Sequence, residues 1–393
     1  MKSEFDILID RRDTNSLKWN VKKDVLPMWV ADMDFKTAPC VQEAIQRKAE
    51  LGIFGYSDIP EEYYESYQMW WKKLHRFQIE REWMIFSSGV VPAISSIVRK
   101  LTTPAEKVLI QSPVYNIFYN SILNNGREIV SSDLQYEDGL YSIDFEDLEQ
   151  KLQDPQVTMM ILCNPHNPVG KVWRKEELFR IGELCYQNHV IVVSDEIHCD
   201  LTEPGIHYTP FASVHELCAQ NSITCLAASK AFNLAGLQAA CVIVPNEALR
   251  HKVWRGLNTD EVAEPNAFAC EAVTAAFQEG EEWLNALRTY ISANKKTAQE
   301  FIAKNLPELH LVESEATYLL WIECKSFAPF VTQFCKYLKE EKGLLLSNGS
   351  SYGKNGSGFI RMNIACPKER LMEGLKRLEA GVKEFSKTYV TSC

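Results

Sequence analysis

Between about residues 83 and 245, short uninterrupted apolar runs alternate with amphipathic stretches, and few architectures accept that pattern. The runs are Met84–Ser87, Val108–Gln111, Met159–Cys163, Val190–Ser194, Thr224–Ala228 and Ala240–Val244. They are apolar along their whole length, as a strand is when both of its faces are buried. Helical patterns lie between them. The clearest is Lys175–Asn188, where Leu178, Phe179, Ile181, Leu184 and Cys185 recur at roughly the helical period. The alternation predicts an α/β sheet with helices on both faces.

The pattern changes after about residue 281. Glu281–Asn305 reads as one long amphipathic helix. Candidate strands Thr317–Ile322, Leu344–Ser347 and Phe359–Asn363 follow, then a final helix, Lys368–Phe385. This is an α+β unit. The 393 residues exceed what one core usually fills. The expected division is an N-terminal segment, 1–45, packing with the smaller unit; a large domain, 46–284; and a small C-terminal domain, 285–393.

Composition narrows the function classes. The formal net charge is −10, and Lys and Arg are interleaved with acids, so nucleic acid is not an expected partner. No apolar run approaches the ~20 residues of a membrane-spanning helix. Glu4 and Asp6 fall within the first six residues, where a secretory signal needs an apolar stretch. The 12 cysteines form no Cys-x-x-Cys pair, and those in apolar runs, such as Cys163 and Cys241, read as reduced core residues of a cytoplasmic protein. The eight histidines show no metal-binding spacing, so no metal is expected.

Four strand ends carry residues with chemical potential. Ser194-Asp195-Glu196-Ile197-His198 follows one strand, at the edge where open α/β sheets bind ligands. Taken alone, either acid could simply cap the next helix. Asn164-Pro165-His166-Asn167-Pro168-Val169-Gly170 is a rigid turn that presents Asn167 at the same edge. Ser229-Lys230 ends a third run. A lysine there is ordinarily solvated, yet its neighbours are apolar, and a buried lysine loses its proton readily. Ser87-Ser88-Gly89-Val90-Val91-Pro92 leads into a helix expected to begin near Pro92, whose free N–H groups would suit a phosphate.

Order and spacing together resemble the fold type I pyridoxal-phosphate enzymes, and within them the cystathionine β-lyase group of the MalY/PatB type. The matching text is Leu26-Pro27-Met28-Trp29-Val30-Ala31-Asp32-Met33-Asp34-Phe35, Gly55-Tyr56, Gly89–Pro92, Ser112-Pro113-Val114-Tyr115, Asn164–Gly170, Ser194–His198, Ser229–Gly236 and Phe359–Asn363. It spans nearly the whole chain. The resemblance implies a seven-stranded, mostly parallel large-domain sheet and pyridoxal 5′-phosphate as cofactor.

It also implies roles. Lys230 resembles the lysine that carries the cofactor, and Asp195 the acid that pairs with the pyridine nitrogen. Tyr115 resembles the ring stacked on the cofactor, and Asn167 a contact to both cofactor and substrate. Gly89, Val90, Val91 and Ser229 would hold the phosphate, with Tyr56 reaching it from the other subunit of a homodimer. Arg361 resembles the grip on the substrate carboxylate, and Ala31 falls in a block expected to line the substrate site. His198 stands where aminotransferases usually have tyrosine, a change shared with the lyase group. Gln238 replaces a common phosphate-binding arginine, Ala227 a common serine, and Asn116 a tyrosine found in some lyases. The implied activity is α,β-elimination on L-cystathionine or a related L-cysteine S-conjugate. The rival readings are an aminotransferase and a cofactor-binding regulator without turnover.

Overall fold

The computed structural model describes residues 3–389. Seven strands form the large sheet: β1 Met84–Ser87, β2 Lys107–Ile110, β3 Glu128–Ser131, β4 Val157–Cys163, β5 Ile191–Asp195, β6 Ser222–Leu226 and β7 Ala240–Ile243. They lie in the order β1-β7-β6-β5-β4-β2-β3. All run parallel except β7, which is antiparallel to both β1 and β6.

The continuous apolar runs are explained by packing on both faces. Leu109, Met160, Leu162 and Val192 point into one core, while Val108, Ile110, Met159, Ile161 and Val193 point into the other. β3 has no such signature: it is an edge strand whose four residues are all partly or fully exposed, unlike β1 at the other edge, which is buried throughout. That is why apolar runs alone gave six strands. β6 lies two residues earlier than its run: the ladder ends at Leu226, paired with Cys241, and Ala227 and Ala228 are buried without pairing. Lys230 therefore sits in the turn beyond the strand rather than at its end.

The C-terminal unit holds the helix Glu281–Asn305 and a second, antiparallel sheet of β8 Leu309–Leu311, β9 Leu319–Cys324, β10 Ser347–Asn348 and β11 Phe359–Asn363, in the order β8-β9-β11-β10. β9 starts later than the apolar pattern because Thr317 has φ +70°, outside the extended region. The run Leu344–Ser347 divides: Leu344–Leu345 pairs in parallel with Leu26–Pro27, while Ser347 pairs with Arg361. The last helix extends to Tyr389 rather than Phe385. The N-terminal residues touch both units. Leu26 and Pro27 join the C-terminal one, whereas the helix Pro39–Leu51 packs on Ala269–Glu279 of the larger one. Among the described residues, no helix is long and apolar enough to cross a membrane.

Candidate active site

The carboxyl ends of β4 and β5, the turn after β6 and the start of the helix after β1 surround a cavity of about 250 Å³. The helix begins at Val90, two residues before the expected Pro92. Its cap, Gly89, has φ +152°, and a Cβ there would stand 3.2 Å from Pro92 Cδ, so the tight entry favours glycine. Gly89, Val90, Val91 and Ser229 are on the cavity wall, and the first-turn N–H groups of Val90 and Val91 have no intrahelical acceptor.

Lys230 Nζ donates to the Ala31 carbonyl at 2.8 Å. Burial, reinforced by Arg361, lowers the amine to about 8, with Asp32 and Asp195 opposing. Asp195, the last residue of β5, is buried, and its Oδ1 accepts from Ile197 N at 3.1 Å. Burial raises its carboxyl to about 7 despite the Ile197 N–H and Lys230. The acid thus lacks a cation strong enough to hold its charge.

A carboxyl whose folded-state pKa lies above its unfolded value of 3.8 stabilises the fold while protonated. That contribution is complete below about pH 4 and is lost as pH rises through 7, amounting to about 4 kcal/mol for this shift. Denaturant melts of the ligand-free protein should show stability falling over this window, and Asp195→Asn should flatten the fall. Glu196 adds the same trend up to about 8, since burial raises it too. Glu196 itself is no helix cap. It accepts from Ser194 Oγ, the Phe211 N–H and the Tyr208 hydroxyl inside the core.

Arg361, on β11, is buried. Its Nη1 donates to Asn167 Oδ1 and its Nη2 to the Trp29 carbonyl, both at 3.0 Å, while its Nε has no partner. No carboxylate lies within ion-pair distance of it among the described residues. A buried guanidinium held only by neutral acceptors is poised for an anion. Asn167 is fixed by its turn, which Gly170 pins to the C-terminal unit. Glu315 N and Ala316 N donate to the Gly170 carbonyl, and a Cβ on Gly170 would stand 2.4 Å from Ser314 Cβ.

Tyr115 and His198 also line the cavity. Burial, with Asp195, raises the Tyr115 hydroxyl to about 12 against Arg361. Burial, with Lys230 and Arg361, depresses His198 to about 3, so the ring is neutral, and its Nδ1 has no partner. Of the expected site residues, Arg361 is not on the cavity wall and reaches it through Asn167, and Tyr56 lies away from it altogether. It is fully exposed, on a stretch where Leu51, Ile53 and Phe54 are exposed as well.

Sequence reasoning missed Tyr318, whose hydroxyl donates to the Ala31 carbonyl at 3.1 Å. It lies in the run expected as the strand Thr317–Ile322, and no local signal marks it. One group of described residues, His75, Cys199 and Asp200, brings metal-ligand atoms within 4.8 Å of one another. There, Asp200 Oδ1 already accepts from Trp70 Nε1 and lies 2.8 Å from His75 Nε2.

The sequence profile of aminotransferase class I and II matches residues 23–378. The chain belongs to this family. Among its relatives, cystathionine beta-lyase PatB of Bacillus subtilis is 40% identical over 96% of this chain and 99% of that protein. Protein MalY of Escherichia coli is 31% identical, over 95% of this chain and 97% of that protein. The crystal structure of cystalysin from Treponema denticola, which contains a pyridoxal 5′-phosphate cofactor, superposes with a TM-score of 0.94 at 32% identity, covering 98% of this chain and all of that one. This chain is of the MalY/PatB type within the family.

Proposed function

We propose that the chain is a pyridoxal 5′-phosphate-dependent carbon–sulfur β-lyase acting by α,β-elimination on L-cystathionine or related L-cysteine S-conjugates. The observation that carries this reading is the meeting of three groups around one cavity: on its wall an amine that gives up its proton easily and an acid without a cation, and behind the wall residue Asn167 a guanidinium without a carboxylate. They fit the cofactor. Lys230 offers the amine for its aldehyde, Asp195 a partner for its ring nitrogen, and the Gly89–Val91 backbone with Ser229 a cradle for its phosphate. Lys230 is the sole lysine or arginine on the cavity wall among the described residues, so the phosphate end relies on backbone N–H groups.

When bound, the cofactor supplies the electron sink for the electrons released at the substrate Cα. The side chains do the rest. Arg361 and Asn167 take the substrate α-carboxylate, and Tyr115 covers one side of the cavity. Lys230, whose amine gives up its proton near pH 8, accepts the Cα proton in its neutral form and can return a proton to the departing sulfur. The Cβ–S bond breaks with its electron pair on sulfur. Water then completes the balance: thioether amino acid plus water gives thiol, pyruvate and ammonia, the thiol being homocysteine for L-cystathionine.

The relatives' names support elimination over transamination. Two of them carry the name cystathionine beta-lyase. The test is thiol release from L-cystathionine without any 2-oxo acid. Turnover that waits for an added oxo acid means an aminotransferase, and no turnover of L-cystathionine with or without one means a regulator.

The same reading takes the active form as a homodimer, with Tyr56 of a second copy completing the phosphate site. Its support is the full exposure of Tyr56 beside exposed Ile53 and Phe54. Mixing Tyr56→Ala and Lys230→Ala proteins after unfolding and refolding should restore up to about a quarter of wild-type sites, from heterodimers with one intact site each. Activity no higher than the sum of the separate variants would remove the shared site. The division at residues 45 and 284 belongs to this reading too, supported by the change to an antiparallel sheet after the helix Glu281–Asn305. A cytoplasmic location is supported by eleven described cysteines, all free.

A further inference from the structure

A cluster of five charged side chains is packed beneath residues 29–35, outside the cavity. Lys18 and Asp34 are each 1% exposed, with Lys18 Nζ 3.1 Å from Asp34 Oδ2 and 3.5 Å from Asp32 Oδ1. Arg11 reaches Asp32 and Asp34 at 2.9 Å each, and Arg370 reaches Asp34 at 3.1 Å. Trp19 Nε1 donates to Asp34 Oδ1 at 2.8 Å. Burial alone would raise the Asp34 carboxyl, yet Lys18, Arg370, the Trp19 N–H and Arg11 outweigh it and hold it below the usual carboxylate range. Apolar packing would stabilise such a site at least as well, so what a buried ion cluster adds is position.

What it positions is the backbone beside Lys230. Arg11 Nη1 also donates to the Met33 carbonyl. Asn233, three residues after Lys230, accepts from Met33 N and donates to the Met33 and Phe35 carbonyls at 3.1 Å. Asn363, two residues after Arg361, donates to the Val30 and Asp32 carbonyls at 2.5 and 2.6 Å. Between these fixed points the Ala31 carbonyl accepts from both Lys230 Nζ and the Tyr318 hydroxyl.

We propose that residues 29–35 are a positioning strap, locked by the buried cluster on Arg11 and Lys18, and that the strap sets where the Lys230 amine stands through the Ala31 carbonyl. Neither Arg11 nor Lys18 lines the cavity. Both act through the strap and are positioning residues. The inference rests on Lys230 being the cofactor's anchor.

The test compares wild type with Lys18→Met, Lys18→Arg and Tyr318→Phe. For each, it reads kcat and KM on L-cystathionine, the melting temperature, and the pH midpoint at which the cofactor-free protein takes up pyridoxal 5′-phosphate in borohydride-trappable form at Lys230. Uptake needs the neutral amine. Its charged neighbours are Arg361, Asp32 and Asp195; Tyr115, His198 and Tyr318 are the remaining titratable groups beside it. Removing the Lys18 charge leaves Asp32 less compensated, and removing the Tyr318 hydroxyl leaves the Ala31 carbonyl a stronger acceptor for a protonated amine. Both changes favour the charged amine. The midpoint should therefore rise by roughly half a pH unit or more, and kcat should fall about tenfold with KM within about twofold. Lys18→Arg should restore both.

If Lys18→Met only melts earlier, with midpoint and kcat unchanged, the cluster is structural and the proposal falls. If Lys18→Met does not fold, Tyr318→Phe decides: an unchanged midpoint overturns the strap. Wild-type protein that traps no cofactor at Lys230 overturns the functional reading first. Normal wild-type trapping with unmoved variants overturns the strap alone.

Discussion

Replacing Lys230 with alanine should lower kcat on L-cystathionine by at least about four orders of magnitude, because the covalent anchor and the Cα base are lost in one change. The fold should survive. The amine makes one hydrogen bond, to the Ala31 carbonyl, and its burial disfavours the charged form, so removing it leaves no buried carboxylate stripped of its partner. Two readouts separate this from a general loss of structure. Borohydride reduction followed by peptide mass analysis should find the cofactor on the Lys230 peptide of wild type and nowhere in the variant, and the melting temperature should stay within a few degrees. A variant that still traps the cofactor at full occupancy would move the anchor to another residue.

The second large effect is expected at Asp195. Asparagine keeps the shape and the hydrogen bond from Ile197 N but cannot carry charge. A carboxylate ~4 Å from the cofactor's ring nitrogen is worth about 4 kcal/mol at an effective dielectric of ~20, or roughly three decades in the nitrogen's proton affinity. Asp195→Asn should therefore retain the cofactor on Lys230 yet lose about 10³ in kcat/KM. Its ligand-free form should be more stable than wild type near pH 8, because the raised Asp195 carboxyl no longer has to ionise inside the protein. Loss of activity with a gain in stability marks a functional group; loss of both would mark a structural one.

Much of this site could be read from sequence because its residues sit at element ends. Asp195 closes β5, Asn167 lies in a turn written by two prolines and a glycine, and Gly89 opens a helix, so each carries a local signal. Arg361 carried none of its own. It is buried in the middle of β11, and only the resemblance distinguished it from a strand residue. Tyr318 was invisible because its role depends on the Ala31 carbonyl, 287 residues away in the chain. The edge strand β3 and the early end of β6 were illegible for a related reason. Burial and strand pairing both produce apolar text, and sequence alone does not separate Ala228, buried in a turn, from Leu226, paired in the sheet.

The most direct measurement of the central claim is the product balance over many turnovers, with L-cystathionine as sole substrate and no 2-oxo acid present. Homocysteine, pyruvate and ammonia should appear in equal amounts, far beyond one equivalent per subunit. A single equivalent of amino group transferred to the cofactor, after which the reaction stops until an oxo acid is added, would contradict the claim.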